Sequence, residues 1–213
     1  MVRESEIMGT QERREREKKR REEEIVDAAE RIFFGKGFDN STMDDVAAEA
    51  ELSKGALYKY FNSKNELCTA IVSRAMRFVI EHFEKASGLT GLNGLDTLEK
   101  ICFSFLDFYK KYPEYYCSLQ NYRHHRSACG ENSGVLKETI EENIRINSIL
   151  EAAIRKGLAD SSIDTAGNPA KTAAMLWGDV NGVIPACALS SQSEKGEELF
   201  KLTVKTLIQG LRG

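Results

Sequence analysis

Several features that enzymes and membrane proteins need are missing from this 213-residue sequence. No apolar run reaches the roughly 18 residues that a membrane-spanning helix requires. The charged N-terminus lacks the apolar core of a signal peptide. No phosphate-binding glycine loop, HExxH motif or paired nucleophile and base is present. We therefore expect a cytoplasmic protein that is not an enzyme, needs no cofactor and does not enter a membrane.

Metal and disulfide chemistry is equally poorly represented. The five cysteines are scattered, odd in number and without CxxC spacing, so neither a disulfide framework nor a zinc site is predicted. The only histidine cluster is His124-His125, with Cys129 four residues later. Adjacent side chains point about 100° apart on a helix, which favours a polar patch over a chelating site. We expect no bound metal.

What is present is helical periodicity, and no segment shows the alternation of a strand. We expect an all-α chain with a long helix from about residue 64 to residue 86. The predicted organisation is a charged and flexible N-terminal arm at residues 1–21, a three-helix DNA-binding domain with a helix-turn-helix at residues 22–66, and a helical bundle for ligand binding and dimerisation at residues 67–213.

The stretch from Thr42 to Phe61 carries the functional prediction. Its first helix has apolar residues at i, i+3, i+4 and i+7, starting from Met43. Ser53 is a suitable N-cap for a second helix, on which Leu57 and Phe61 point inward. Polar and very small residues are left outside, which is the pattern of a helix-turn-helix whose second helix enters the major groove.

The charge distribution agrees with this interpretation, although the net charge is only −3. Residues 13–21 include seven basic and two acidic residues, and residues 53–67 include three lysines and one glutamate. The intervening residues 42–51 carry four acids and no base. The attraction of phosphates depends on the charges within a Debye length of about 8 Å and not on the net charge of the chain. The arm is predicted either to contact DNA or to be a solvated, disordered leader.

The run SKGALYKYFNSKNEL resembles the TetR family of bacterial transcriptional regulators. In that family a YxxF-x-x-K-x-x-L segment ends the recognition helix and begins the next one, and Tyr58, Phe61, Lys64 and Leu67 occupy those positions. The resemblance is close over residues 22–68 and beyond them extends only to length and helical layout. One departure is Glu51, where glycine is usual. The position often needs φ > 0, so we expect a slightly altered turn.

The resemblance implies a double-stranded DNA operator as partner and a set of contact residues. Residues expected at base edges are Lys54, Gly55, Ala56 and Lys59. Residues expected near phosphates are Thr42, Ser53, Tyr58, Tyr60 and Lys64.

The aromatic density between residues 103 and 122 suggests a second site. It predicts either ordinary core packing or an aromatic-lined cavity for a small organic effector that is apolar or aromatic. The pocket residues that we expect are Phe105, Tyr109, Tyr112, Tyr116, Met175 and Trp177.

The family also implies a homodimer formed by the last two helices. The expected interface residues are Val180, Ile184, Val204, Leu207 and Leu211. The sequence thus favours a repressor that a small effector releases from a palindromic operator. The alternative is a helical DNA-binding or protein-interaction factor with no small-molecule effector.

Overall fold

The computed structural model describes residues 2–125, 134–188 and 193–212, with side chains described at residues 11–120, 134–183 and 196–212. Over these residues the chain is helical, with a single isolated β-bridge between Ile163 and Arg212. The all-α prediction is confirmed. The helices, in chain order, are α1 (Val2–Lys36), α2 (Met43–Glu49), α3 (Lys54–Leu57), α4 (Lys64–Ser87), α5 (Gly94–Lys111), α6 (Pro113–His125), α7 (Gly134–Ala159), α8 (Pro169–Ala188) and α9 (Ser193–Gln209).

The first core is built by α1, α2, α3 and the start of α4. Ile25, Ala28 and Ala29 of α1 are fully buried, because their spacing puts them on one helix face. They pack with Val46 of α2 and Leu57 of α3 in one hydrophobic cluster. The cluster also includes Leu67, Cys68 and Ile71 of α4, and the predicted domain boundary at residue 66 stays a prediction.

Polar side chains begin α2, α3 and α4 at the expected residues. The Thr42 hydroxyl accepts from the Asp45 amide, and the Asp45 carboxylate accepts from the Thr42 amide, which completes a capping box. Ser53 caps α3 by accepting from the Ala56 amide. Ser63 caps α4 by accepting from the Glu66 amide. Each cap satisfies an amide that the helix itself leaves unpaired.

The turn between α2 and α3 is a Schellman motif with a residue in the left-handed region. The Leu52 amide donates to the Ala47 carbonyl at 2.8 Å, and the Glu51 amide donates to the Ala48 carbonyl at 3.1 Å. Glu51 has φ = 54°. This position therefore needs a positive φ, as we expected because glycine is usual there. A residue with a Cβ, such as Glu51, adopts this φ at a steric cost.

The first helix is longer than predicted. α1 runs without a break through residue 21, where we expected the arm to end. Exposed pairs one turn apart, such as Lys18–Glu22 and Arg20–Glu24 at 3.5 Å, support a helix in this region. The flexibility of the arm stays a prediction, since a helix without packing partners frays.

The second core lies where α4 packs against α5, α6 and α7. Phe83 of α4, Phe105 of α5 and Ile146 of α7 are almost completely buried in one cluster. The start of α5 lies very close to the end of α7, because a Cβ at Gly94 would be 2.0 Å from the Gly157 nitrogen. None of the described helices is long and apolar enough to cross a membrane.

Candidate nucleic-acid interface

The outer surface of α3 and the turn after it has the composition that the sequence predicts. Lys54, Gly55, Tyr58 and Lys59 are exposed, whereas Ala56 is half-buried beside the buried Leu57. The α-helix is only four residues long, and the amides of Lys59 and Tyr60 continue it with i→i+3 hydrogen bonds, whereas the Phe61 amide donates to the Leu57 carbonyl four residues back. A Cβ added at Gly55 would meet no atom within 4 Å. This surface is therefore smooth enough to approach the floor of a groove.

Lys54 is paired with an acid of α2. Its ammonium lies 2.8 Å from an Asp44 carboxylate oxygen, and both side chains are exposed. The hydrogen bond to Asp44 raises the pKa of Lys54. A contact from Lys54 to a base edge requires exchange of Asp44 for DNA. An exposed ion pair of this kind is weak enough for that exchange.

The remaining predicted phosphate contacts differ in accessibility. Thr42 and Ser53 are exposed but already serve as N-caps. The Thr42 hydroxyl also donates to Asp45 at 2.8 Å, and hydrogen bonds from Lys36 and Thr42 lower the pKa of Asp45 to about 2. Tyr58 keeps 41% of its surface exposed. Tyr60 is half-buried and packs against the first core.

Lys64, which we predicted near a phosphate, has partners within the domain. Its ammonium donates to the carbonyls of Phe38 at 2.7 Å and Ser41 at 2.9 Å. It also lies 4.2 Å from the centre of the Phe38 ring. The charge is thus held inside the domain, where it fixes the connection between α1 and α2. This geometry does not favour the phosphate contact that the motif suggested.

The two cores are joined by a polar contact that the sequence analysis did not predict. The Arg74 guanidinium of α4 lies 2.6 Å from Asp27 and 2.9 Å from Glu30 on α1, and it also hydrogen-bonds Glu23. Tyr115 of α6 hydrogen-bonds Glu30. Burial, together with this hydrogen bond, raises the pKa of Tyr115 to about 12. The residues are far apart in sequence, so no local pattern could have brought them together.

Four of the six predicted pocket residues meet in one aromatic cluster. The Phe105 ring lies 5.3 Å from Trp177 and 6.1 Å from Tyr116, and Tyr116 lies 5.1 Å from Tyr109. The Tyr116 hydroxyl donates to the Asn181 carbonyl at 3.2 Å. These rings pack edge to face on one another.

The other two predicted pocket residues have different surroundings. Tyr112 stacks on Phe78 of α4, with ring centres 4.7 Å apart, and connects to the cluster through Phe108, whose ring lies 5.9 Å away. Met175 is 69% exposed, so the prediction that it lines a buried pocket is wrong. Because α8 is apolar nearly all round, its sequence does not reveal which face is buried.

The predicted dimer residues also need correction. Val180 and Val204 are 3% and 1% exposed and belong to the protomer's own core, so neither is available to a second copy. Leu207 and Leu211 are half-buried, and the side chain of Ile184 lies outside the described residues. The apolar side chains that these two helices do expose are Met175, Leu199 and Leu202.

A cleft of about 850 Å³ opens between α1, α4 and α7. It is lined mainly by charged side chains, and none of the six predicted pocket residues contributes to it. One of its acids, Glu142, accepts from Ser73 at 2.9 Å and Arg77 at 3.2 Å, and burial raises its pKa. Within the described part of the chain, no group of three or more potential ligands has metal-site geometry.

Comparison with known proteins agrees with the fold and with the N-terminal motif. Residues 25–71 match the family model of bacterial regulatory proteins, tetR family. The chain is 34% identical over 70 residues to the HTH-type transcriptional regulator YfiR of Bacillus subtilis, which is 33% of this chain and 34% of that protein. It is 36% identical over 64 residues to the HTH-type transcriptional regulator TtgR of Pseudomonas putida, 30% of each chain. The match thus spans about a third of each relative.

Solved structures extend the likeness to nearly the whole chain. The TetR-family regulator PfmR from Thermus thermophilus has a TM-score of 0.65 at 19% identity, over 89% of this chain and 99% of that one. FadR from Bacillus subtilis, solved in complex with stearoyl-CoA, has a TM-score of 0.68 at 16% identity, over 89% and 98%. At such identities the likeness establishes the fold alone. The N-terminal domain therefore matches the TetR family over residues 25–71, and the described residues share the fold of TetR-family structures.

Proposed function

We propose that this protein is a homodimeric transcriptional regulator that binds double-stranded DNA through α2 and α3. The observation that carries the proposal is the exposed surface of Lys54, Gly55, Tyr58 and Lys59, on a short helix held against α2 by the buried Leu57. Lysine and tyrosine are suited to phosphates and base edges, and the bare Gly55 lets the backbone come close. Repression of transcription from a palindromic operator is the mode of action that we infer.

Gly55 offers a direct test of this surface. Because a Cβ there meets no atom within 4 Å, we expect Gly55→Leu to leave the fold intact and to fill the space between the helix and the groove. Gly35 of α1 is an equally open helical glycine outside the proposed contacts, so Gly35→Leu is the matched control. Fluorescence anisotropy with a duplex selected by the wild type measures both. We expect tight specific binding to be lost in Gly55→Leu only.

The pair of variants also separates binding from folding. Both replace a helical glycine, so both are expected to keep or slightly raise the thermal midpoint. Equal affinity of Gly55→Leu and Gly35→Leu for the selected duplex, with intact folds, contradicts the proposed interface.

Effector control rests on weaker support. A neighbour in fold, FadR, is solved with stearoyl-CoA, and the aromatic cluster around Phe105 in this chain is apolar with tyrosine hydroxyls at its edge. We propose that a small apolar or aromatic ligand parts these rings and releases DNA. The tight ring packing favours the second candidate function, a DNA-binding factor without a small-molecule effector.

The only tryptophan of the chain distinguishes these two functions. Trp177 lies 5.3 Å from Phe105 and 5.9 Å from Phe83, so a ligand that separates the rings changes its emission. Apolar and aromatic compounds are titrated while Trp177 fluorescence and DNA anisotropy are followed together. Effector control predicts that both signals change at the same concentration. A library in which no compound changes either one supports the effector-free factor.

A further inference from the structure

We propose that the N-terminal half of α1 carries a second DNA-contacting surface, which holds the phosphates flanking the sequence read by α3. The α1 basic face is formed by Arg14, Lys18 and Arg21. The proposal rests on the proposed function, because it assumes that α2 and α3 bind double-stranded DNA.

The first argument is continuity with the proposed interface. Arg14, Lys18 and Arg21 line one groove together with Tyr60, which follows α3 by three residues. The basic face is therefore next to the turn that follows α3. Glu17 and Arg20 also border the groove.

The second argument is charge and spacing. Positions 14, 18 and 21 are separated by one helical turn each, so a regular helix puts them in one row. They belong to the segment of net charge +5 between residues 13 and 21, and residues 11–20 are all exposed. No hydrophobic contact explains this concentration of charge.

The acids that pair with the row are weak competitors for it. Lys18 lies 3.5 Å from Glu22, and Arg21 donates to Glu24 at 2.6 Å. Both the lysine and the arginine are at least a third exposed, and ion pairs at such positions contribute little. Each cation can exchange its glutamate for a phosphate, and release of DNA counterions favours that exchange.

The length of α1 sets how far the contact reaches. The basic face from position 14 to position 21 spans about 11 Å at about 1.5 Å per residue. Laid along the duplex, that length corresponds to about three base-pair steps of about 3.4 Å. A protein that uses the basic face should therefore protect about three more base pairs on each flank than the recognition segment alone.

The test compares two double variants that remove the same charge from the same segment. Arg14→Gln with Lys18→Gln removes two of the three cations of the row, whereas Arg13→Gln with Arg16→Gln removes two arginines that do not line the groove. Binding is measured between 50 and 250 mM NaCl on the duplex selected by the wild type, extended by ten base pairs of random sequence on each side. Hydroxyl-radical footprints and sedimentation are recorded for all three proteins.

We expect the Arg14/Lys18 variant to lower the slope of log K against log[salt] by about 0.9 for each phosphate that is no longer neutralised, which means two phosphates per protomer. It should leave the outermost nucleotides unprotected and keep the core footprint. The Arg13/Arg16 variant should match the wild type.

Equal slopes and footprints for the two variants overturn the inference and leave the proposed function intact. A change in self-association without a change in DNA binding also overturns it and assigns the row to a protein partner. If the wild type selects no duplex, the proposed function fails and the inference fails with it.

Discussion

At the scale of single residues, the fold contains one conformational compromise beside its proposed DNA surface. Glu51 closes the Schellman turn between α2 and α3 with φ = 54°, a conformation that glycine adopts without steric cost. The two hydrogen bonds of the turn require it, because they fix the direction in which α3 leaves α2. The domain tolerates this cost because the surrounding core holds the turn in place.

We predict that Glu51→Gly raises the free energy of unfolding by about 1 kcal/mol, through relief of the left-handed strain. Glu51→Ala keeps the Cβ and should change stability by only a few tenths of a kcal/mol. Urea denaturation of the three proteins measures the difference. Equal stability of Glu51→Gly and Glu51→Ala would show that the turn stores no strain.

Between elements, the contact of α1, α4 and α6 joins the two cores through charged groups. Arg74 forms ion pairs with three acids of α1, and Tyr115 of α6 hydrogen-bonds Glu30 while packing 5.3 Å from Phe34 and 5.2 Å from Phe78. Burial nevertheless raises the pKa of Glu30, against the lowering effect of Arg74. One Glu30 oxygen is buried without a hydrogen-bond partner.

The sign of the resulting pH dependence follows from this shift. A carboxyl whose pKa is raised on folding holds its proton more tightly in the folded protein. Its contribution to stability is full below the unfolded value of about 4.5 and is lost as the pH rises through the raised value. Glu30→Gln keeps the shape without the charge. We therefore predict that this variant loses less stability than the wild type between pH 4.5 and neutrality.

The matched control is Glu17→Gln, an exposed glutamate of the same helix with 66% of its side chain in solvent. Thermal midpoints are measured at intervals across that pH range for all three proteins. The same pH profile for Glu30→Gln and Glu17→Gln would show that burial does not shift the pKa of the Glu30 carboxyl.

The elements also show which features the sequence could reveal. Local signals were sufficient for the starts of α2, α3 and α4, because a capping serine or threonine acts on amides two or three residues away. They were sufficient for the exposed surface of α3 as well. The sequence did not reveal the surroundings of Lys64, Met175 and Val204, because these surroundings depend on elements distant in sequence.

For the whole molecule, the surface of α8 and α9 is one apolar surface that a single protomer leaves uncovered. Leu202 is 62% and Leu199 is 42% exposed on α9, and α8 exposes Met175 beside Gly178, which has open space around it. Burial of this surface by a second copy removes apolar area from water and explains its composition. Symmetric pairing of two such faces gives one two-fold dimer.

We predict that Leu202→Glu gives folded monomers at micromolar concentration, because it buries a charge in the proposed interface. Leu158→Glu on α7 introduces the same charge at a 37% exposed leucine outside that surface and should leave the dimer intact. Val204→Glu should instead unfold the protein, since that valine is in the protomer core. Sedimentation velocity separates these outcomes, and a monomeric wild type would contradict the proposed pairing.

The most direct test of the whole account is selection of DNA by the wild-type protein from a library of random duplexes. If two copies present α3 to successive major grooves, the selected sequences should form an inverted repeat. Its half-site centres should be one helical turn apart, about 34–36 Å or 10–10.5 base pairs. The Gly55→Leu protein should enrich no such repeat. Enrichment of nothing by the wild type, or of the same sequences by both proteins, would contradict the account.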